Sequence, residues 1–122
     1  MKLPRGENAI VDIEKLRDYC LSTTHPDGRH KARVFRSSLG LTLDDAHDLQ
    51  ALLRIAAAES DVLEGPTHSF GVRYILDFEL KRGDKVATIR SRWLIRNGEV
   101  IPRLLTCYVL RKKVLQWQQP NS

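Results

Sequence analysis

The sequence has few cysteines, few chain-breaking residues and no long apolar run. Its 122 residues include 2 cysteines, 7 glycines and 5 prolines. Cys20 and Cys107 are too few for a disulfide framework and lack metal-ligand spacing, so we expect both to be buried, reduced thiols. The glycine and proline content excludes a collagen-like or low-complexity chain. A composition that is 42% hydrophobic and 29% charged excludes a disordered tail.

Recognisable targeting and catalytic motifs are also missing. No apolar run approaches the roughly 18 residues that span a bilayer, and residues 1–8 are too polar for a signal peptide. HExxH, paired CxxC, the Walker phosphate loop and the GxSxG elbow do not occur. We therefore expect a cytoplasmic protein with no membrane partner, no cofactor and no metal site, built as a single domain over residues 1–122.

The charge is unevenly distributed along the chain. Lys and Arg number 20 against 15 Asp and Glu, which gives a net charge of +5. Residues 1–40 carry +3, residues 41–64 carry −5 and residues 65–122 carry +7, so an acidic segment separates two basic ones. The pattern has two interpretations: a basic surface that binds an anionic partner such as RNA, or an ordinary solvated surface of mixed charge.

Capping residues and a period near four predict three helices. They are expected over residues 12–21, residues 29–38 and residues 42–60, with Asp12 and Thr42 as N-caps. Acidic side chains cluster in the first turn of the third helix, where the helix dipole favours them. These three helices should occupy the first half of the chain.

After the third helix the hydrophobic period changes to two, which predicts strands. Residues 70–80, 85–96 and 99–110 alternate in this way, and residues 111–117 are either a fourth strand or a loose end. The predicted fold class is α+β. Its N-terminal helices, within residues 10–60, should pack on one face of a three- or four-stranded antiparallel meander sheet over about residues 68–117.

A two-residue turn signal gives the last hairpin a predicted register. Asn97-Gly98 favours a tight turn, which places Arg92 directly opposite Arg103 and leaves both on one face with Arg90. Like charges in direct opposition are unfavourable by up to about 1 kcal/mol, so an anion should lie nearby. Its open sources are an RNA phosphate and a carboxylate of the first strand, Asp77 or Glu79. The third alternative is that the hairpin has a different register.

The densest group of reactive side chains lies in residues 25–33. His30 and Lys31 fall in the first turn of the second helix, where free amides and the positive dipole end attract phosphate. A histidine there suits proton transfer near neutral pH, and His25 is the other candidate. Each also has a structural alternative: His25 caps the Pro-Asp-Gly turn, His30 is an exposed first-turn residue, and Arg33 is a solvated charge on the helix.

Candidate groups outside that segment also have structural alternatives. Tyr108 and Thr106 of the last predicted strand either reach a phosphate or pack across the sheet. Phe70 and Trp93 are expected to anchor the core rather than to stack on bases, and His47 and His68 are expected to be structural or solvated groups.

Short motifs follow one another along residues 1–109: Ile10-Val-Asp-x-x-Lys-Leu-x-x-Tyr19-x-Leu21, Thr24-His-Pro-x-Gly28-x-x-Lys31-Ala-x-x-Phe35, Leu39-Gly-Leu-Thr42, Tyr74, Arg90-x-x-Trp93-x-Ile95 and Pro102-Arg-Leu-x-Thr106-x-Tyr108. Taken in order, they resemble the bacterial family known as domain of unknown function 6883. The resemblance implies a domain that stands alone or ends a toxin-like protein, often beside a small partner as in a toxin–antitoxin pair. By analogy of fold it also implies the arrangement of barnase and the colicin ribonucleases.

Together these observations predict a metal-independent endoribonuclease of bacterial toxin type. Attack of an RNA 2′-hydroxyl on the adjacent phosphate needs a base, cations around the phosphate and an acid for the leaving oxygen. His25 or His30 is the predicted base or acid, Tyr108 is the reserve proton donor, and Lys31 stabilises the phosphate. Further phosphate- or RNA-binding residues are predicted to be Arg33, Arg90, Arg92, Arg103 and Thr106.

The alternative is a non-catalytic basic module that binds a small acidic protein, either an antitoxin or an immunity-type partner. The catalytic prediction depends on His25, Lys31, Arg90 and Arg103 meeting in one pocket. It also depends on both arginines being free of native carboxylates, because a neutralised guanidinium group would have little charge left for a phosphate.

Overall fold

Three main helical segments precede the sheet, together with short 3-10 turns over Gly6–Asn8 and Leu43–Asp45. The computed structural model describes residues 1–110. In it α1 spans Ile13–Lys15 and continues without a break as a π-helical turn over Leu16–Cys20, α2 spans Arg29–Leu39, and α3 spans Ala46–Glu59. The three predicted helices are therefore confirmed, and Thr42 caps as predicted, but Asp12 makes no side-chain capping hydrogen bond at the start of α1.

A capping box begins the 3-10 turn Leu43–Asp45, which leads directly into α3. The Thr42 hydroxyl accepts a hydrogen bond from the Asp44 backbone N–H at 3.3 Å, while the Thr42 backbone N–H donates to the Asp45 carboxylate at 2.8 Å. The backbone bond from Thr42, together with the charge of Arg82, lowers the pKa of Asp45. The acidic start of this helix is thus used locally to satisfy otherwise unpaired amides.

Four antiparallel strands form the sheet, in the order in which they follow in the chain. They are β1 (Leu63–His68), β2 (Gly71–Arg82), β3 (Lys85–Arg96) and β4 (Arg103–Val109). Each strand pairs with its neighbour in sequence, so the predicted α+β fold with a meander sheet is confirmed.

The first strand of the sheet was not predicted. The sheet begins at Leu63 rather than near residue 68. The sequence did not indicate this strand because Gly65-Pro66 has the composition of a chain breaker. The register of β1 against β2 shifts between Glu64 and Thr67, and β1 is an edge strand, so Pro66 is tolerated without a ladder hydrogen bond. The predicted fourth strand at residues 111–117 lies outside the described residues.

The helices cover one face of the sheet. The sheet residues in the core include Tyr74, Leu76, Leu80, Ile89, Trp93, Cys107 and Val109, and they pack with Leu16, Phe35, Leu49 and Leu53. Trp93 donates from Nε1 to the Ser91 hydroxyl at 2.9 Å, and Ser91 donates to the Leu76 carbonyl at 2.8 Å, which satisfies these buried polar atoms. We call the opposite face the open face; it carries the alternate residues of β2 and β3, among them Arg73, Asp77, Arg90 and Arg92.

The predicted register of the last hairpin is wrong. Arg92 lies opposite Thr106, and Arg103 lies opposite Leu94, so no arginine pair faces across β3 and β4. The turn does form, with the Glu99 N–H donating to the Arg96 carbonyl at 2.9 Å. Of the two central turn residues, Gly98 has a positive φ (83°) and Asn97 does not, as in a type II turn. The type I′ turn, which matches the twist of the strands, needs a positive φ at both central residues. The strands therefore separate after the turn and pair again from Arg103 onward.

The burial of four side chains tests the structural predictions made for them. Trp93 is fully buried, as predicted, but Phe70 is 46% exposed in the turn between β1 and β2, so its predicted core role is wrong. Cys20 and Cys107 are both free and buried, as expected.

Within residues 1–110, no helix has the length and apolar character needed to cross a membrane.

Candidate functional site

A cavity of about 540 Å³ opens where α2 crosses the edge strand β4. It is lined by His30, Lys31, Arg33, Val34, Tyr108 and Val109. Helix α2 buries Ala32, Phe35 and Leu39, which leaves Lys31 half-buried at the cavity and His30 and Arg33 exposed at its rim. The fold thus brings together three of the four residues predicted to be catalytic.

Lys31 is held at this cavity between two tyrosines. Its Nζ atom donates to the Tyr19 hydroxyl at 2.9 Å and lies 4.8 Å from the Tyr19 ring centre and 5.8 Å from the Tyr108 ring centre. Tyr19 belongs to the π-helical turn and packs against the start of α2. A Cβ atom at Gly28 would lie 2.1 Å from the Tyr19 carbonyl oxygen, so only glycine lets the two segments approach this closely.

Tyr108 links the cavity to the open face of the sheet. Its hydroxyl accepts hydrogen bonds from Arg92 Nε at 3.3 Å and from Arg92 Nη2 at 3.0 Å. The hydroxyl proton stays available for donation. Within residues 1–110, no carboxylate lies within 4 Å of the Arg92 or Lys31 charge. Both cations therefore keep their charge for a ligand.

The two candidate histidines have different surroundings. His25 Nδ1 accepts hydrogen bonds from the backbone N–H groups of Asp27 and Gly28, both at 3.0 Å, and its ring meets the Tyr19 ring edge-on at 4.8 Å. This is the capping geometry that the sequence left open for His25. His30 is exposed and lines the cavity.

Arg90 and Arg103 both lie beside native carboxylates. Arg90 donates to Asp77 through Nε and Nη2, each at 2.9 Å, and this carboxylate raises the pKa of Arg90. Arg103 Nη2 is 3.7 Å from the Glu99 carboxylate. Asp77 was one of the two predicted sources of an anion for this face, and it pairs with Arg90. The predicted pocket, which required His25, Lys31 and two arginines free of carboxylates, is therefore wrong. The cavity instead brings Lys31 and Tyr108 together, with Arg92 bound to the Tyr108 hydroxyl.

Thr106 directs its hydroxyl toward the thiols rather than toward the cavity. Its Oγ1 atom is 3.8 Å from Cys20 Sγ. A hydrogen bond from Cys107, assisted by Thr106 and the charge of Lys31, lowers the pKa of Cys20 to about 7 against the effect of burial. The same shared bond and complete burial raise the pKa of Cys107. The pair joins the π-helical turn, which contains Cys20, to β4, which contains Cys107.

In the part of the chain that the structure describes, no three His, Cys, Asp or Glu side chains are grouped as metal ligands. The groups at the cavity are instead imidazole, ammonium, guanidinium and phenol. They can donate hydrogen bonds to an anion and transfer protons.

Sequence reasoning missed Tyr19 as a site residue. The residue was visible only as one letter of the first motif, and its helix pattern gave no sign of a polar contact. Its partner Lys31 is 12 residues away in the sequence. The π-helical turn that contains Tyr19 places the hydroxyl group of Tyr19 beside Lys31. The sequence offers one signal for this contact: Tyr19 lies next to the predicted apolar face of its helix, and Gly28 and a basic helix follow it.

Comparison with known proteins gives a family and a fold. The sequence profile of the family described as Domain of unknown function (DUF6883) matches residues 2–111. A chain of the contact-dependent growth inhibition toxin–immunity protein complex from Klebsiella pneumoniae 342 has a similar structure, with a TM-score of 0.65 at 17% sequence identity. The match covers 83% of this chain and 99% of that chain. No curated protein matches the sequence.

Proposed function

The chain belongs to the DUF6883 family, and we propose that it is a metal-independent endoribonuclease of bacterial toxin type. In the proposed reaction a base removes the proton from an RNA 2′-hydroxyl, and the 2′-oxygen attacks the adjacent phosphorus. The bond to the 5′-oxygen breaks, that oxygen takes a proton from an acid, and a 2′,3′-cyclic phosphate remains.

The observation that carries the proposal is the cluster of Lys31, Tyr108 and Arg92 beside the cavity. Lys31 lies against the rings of two tyrosines, and Arg92 donates twice to the Tyr108 hydroxyl. A pentacoordinate phosphate carries more negative charge than the ground state, and preorganised cations stabilise it. The cavity of about 540 Å³ has room for a nucleotide phosphate and its sugar.

Each step has a residue in reach of the cavity. We assign His30 as the base, because its ring is exposed at the rim and His25 Nδ1 is already occupied by two backbone N–H groups. Tyr108 is the acid, since the Arg92 guanidinium stabilises the negative charge that its oxygen acquires on giving up a proton. Lys31 and Arg33 hold the phosphate.

The structural comparison supports a toxin–immunity context for the proposal. The similar chain comes from a toxin–immunity protein complex. By analogy of fold, we propose that a small acidic protein of immunity or antitoxin type inhibits this chain by covering the cavity. A cavity rimmed by His30, Lys31 and Arg33 suits an acidic surface as well as it suits RNA.

The proposal is tested by incubating purified protein with total RNA in the presence of a chelator. We expect fragments with 2′,3′-cyclic phosphate ends. His30→Ala should slow cleavage by about 10² to 10⁴-fold, with comparable losses for Lys31→Ala and Tyr108→Phe. His47→Ala is the matched control, because His47 is an exposed histidine on α3, and its rate should be that of the wild type.

The second candidate is a non-catalytic basic module that binds an acidic partner. It is favoured by one observation, the commitment of His25 to the backbone, which removes one of the two predicted imidazoles. Under this hypothesis RNA stays intact, while Lys31→Ala weakens co-purification with the protein of the neighbouring gene, whether RNA is added or withheld. Intact RNA with wild-type protein, at any concentration that gives full binding of that partner, would contradict the ribonuclease proposal.

A further inference from the structure

A second cavity lies on the open face of the sheet, at the bulge of β1. It has a volume of about 250 Å³ and is lined by Gly65, Pro66, His68, Arg73, Tyr74, Ile75 and Arg92. Arg92 connects the two cavities: it lines this one, and its guanidinium group donates to Tyr108, which lines the first. The basic side chains Lys31, Arg92 and Arg73 therefore lie along the way from the first cavity to the second.

Beside this cavity the chain builds an exposed aromatic stack. The rings of His68 and Phe70 lie nearly parallel, with centres 5.3 Å apart and planes at 12°. The Arg73 guanidinium carbon is 5.1 Å from the Phe70 ring centre. Phe70 is nevertheless 46% exposed, so a large aromatic surface remains in contact with water.

The turn that carries Phe70 is fixed from the neighbouring strand end. The Asn97 backbone N–H donates to the Phe70 carbonyl at 3.0 Å, and the Asn97 side-chain amide donates to the Ser69 carbonyl. These two hydrogen bonds fix the backbone of the turn, so Phe70 is positioned before any ligand binds. A preformed position reduces the conformational entropy lost on binding.

Within residues 1–110, no carboxylate oxygen lies within 4 Å of a guanidinium nitrogen of Arg73 or Arg92. Residues 111–122 contain neither Asp nor Glu. Arg73 Nε is buried and has no hydrogen-bond acceptor in the described part of the protein. A buried N–H without an acceptor is unfavourable, and an anionic ligand in the cavity can supply the missing acceptor.

We propose that this second cavity binds a phosphate of single-stranded RNA while an adjacent base joins the His68–Phe70 stack. Guanidinium groups recognise phosphate through paired N–H donors, and aromatic rings recognise bases through stacking. Bases of a duplex are paired and stacked on one another, so a platform of this kind selects unpaired RNA. The identity of the polymer as RNA rests on the proposed ribonuclease function; the cavity then holds the substrate one or more nucleotides away from the cleaved bond.

The test uses a fluorescent 2′-deoxy oligonucleotide, which has no attacking 2′-hydroxyl and cannot be cleaved by the proposed route. A second oligonucleotide of the same length has abasic positions in place of its bases. Binding of both is measured for the wild type, Phe70→Ala, Phe70→Leu and Arg73→Gln. Arg54→Gln is the control, because it removes one exposed positive charge from α3, on a different part of the molecule. Thermal melting confirms that each variant is folded.

We expect Phe70→Ala to weaken binding of the normal oligonucleotide five- to tenfold or more and to leave binding of the abasic one unchanged. Phe70→Leu should give most of the same loss, because it keeps apolar bulk without an aromatic face. Arg73→Gln should weaken binding of both oligonucleotides, and Arg54→Gln of neither.

Equal affinity of wild type and Phe70→Ala for the normal oligonucleotide would overturn the inference, even if Lys31→Ala abolishes RNA cleavage. Binding that depends on Arg73 but is identical with and without bases would also overturn it, because the cavity would then recognise only the phosphate backbone. Base-dependent binding through Phe70 by a protein that never cleaves RNA would support a site for single-stranded nucleic acid and would remove both the ribonuclease proposal and the assignment of the polymer as RNA.

Discussion

His25 caps the turn before α2 and cannot act as a base without giving up that role. Its Nδ1 atom accepts from two backbone N–H groups, so the ring proton of the neutral form lies on Nε2. A second proton could bind only at Nδ1. Its arrival would break both hydrogen bonds and leave the amide of the buried Gly28 without an acceptor. Proton transfer is therefore better assigned to His30.

Substitutions at His25 separate the capping role from the catalytic one. His25→Ala should lower the free energy of unfolding by about 1–2 kcal/mol, because an acceptor for two backbone amides is lost. In His25→Asn the side-chain oxygen can accept from the same amides as in an Asx turn, so most of the stability should return. Urea denaturation measures both effects.

RNA cleavage by the same variants completes the test. We expect His25→Asn to cleave at a rate close to that of the wild type. A stable His25→Asn protein with a rate reduced as strongly as that of His30→Ala would show that the His25 imidazole itself takes part in the reaction.

Single-residue roles were predictable only where a local pattern decided them. The burial of Trp93 followed from its place in an alternating strand, and the Thr42 cap followed from its position before an acidic turn. Phe70 alternates in the same way as its neighbours, yet it falls in a turn and is exposed. The Tyr19–Lys31 contact joins two segments whose relative placement is set by tertiary packing.

At the scale of elements, the helices and strands could be predicted better than their pairing. The change of period from four to two separated the helices from the sheet. The register depended instead on the dihedral angles of Asn97-Gly98 and on a contact distant in sequence, in which Ile10 pairs with Arg103 at the edge of β4. A dipeptide signal carries no information about that second contact, so the register could not be obtained from it.

The cross-strand pair between β2 and β3 should stabilise the sheet rather than bind RNA. Arg90 and Asp77 face each other and form a bidentate ion pair with side chains about one-third exposed. After allowance for solvent screening, a double-mutant cycle of Arg90→Gln and Asp77→Asn should give a coupling of roughly 0.5–1 kcal/mol in the free energy of unfolding.

The same variants test whether Arg90 serves the reaction. We expect Arg90→Gln to cleave RNA at the wild-type rate, while Arg92→Gln is slower by tenfold or more because Tyr108 loses its cationic partner. If Arg90→Gln is as slow as Arg92→Gln, the original prediction that Arg90 contacts the phosphate is correct, and the ion pair with Asp77 must open when RNA binds.

For the whole molecule, the uneven charge of the sequence acquires a spatial meaning. Lys31 and Arg33 on α2 and Arg73 and Arg92 on the sheet line the two cavities. The acidic segment forms α3 and the residues around it, and it uses part of its charge in its own capping box. The sequence alone showed that basic and acidic segments alternate. That basic groups from separate segments line neighbouring cavities depends on α2 crossing the edge of β4, which requires the packed fold.

This arrangement predicts a measurable salt dependence of RNA binding. If the four basic side chains of the two cavities contact about four phosphates, the logarithm of the binding constant should fall with the logarithm of salt concentration with a slope of roughly −3 for a single strand. Arg73→Gln should make the slope shallower by about 0.7. Arg54→Gln should leave it unchanged, since Arg54 lies on α3 and lines neither cavity. Fluorescence titrations of an uncleavable oligonucleotide at several salt concentrations give these slopes directly. If Arg73→Gln and Arg54→Gln made the slope shallower by the same amount, RNA would be attracted by the net charge of the protein as a whole and not by the basic side chains that line the two cavities.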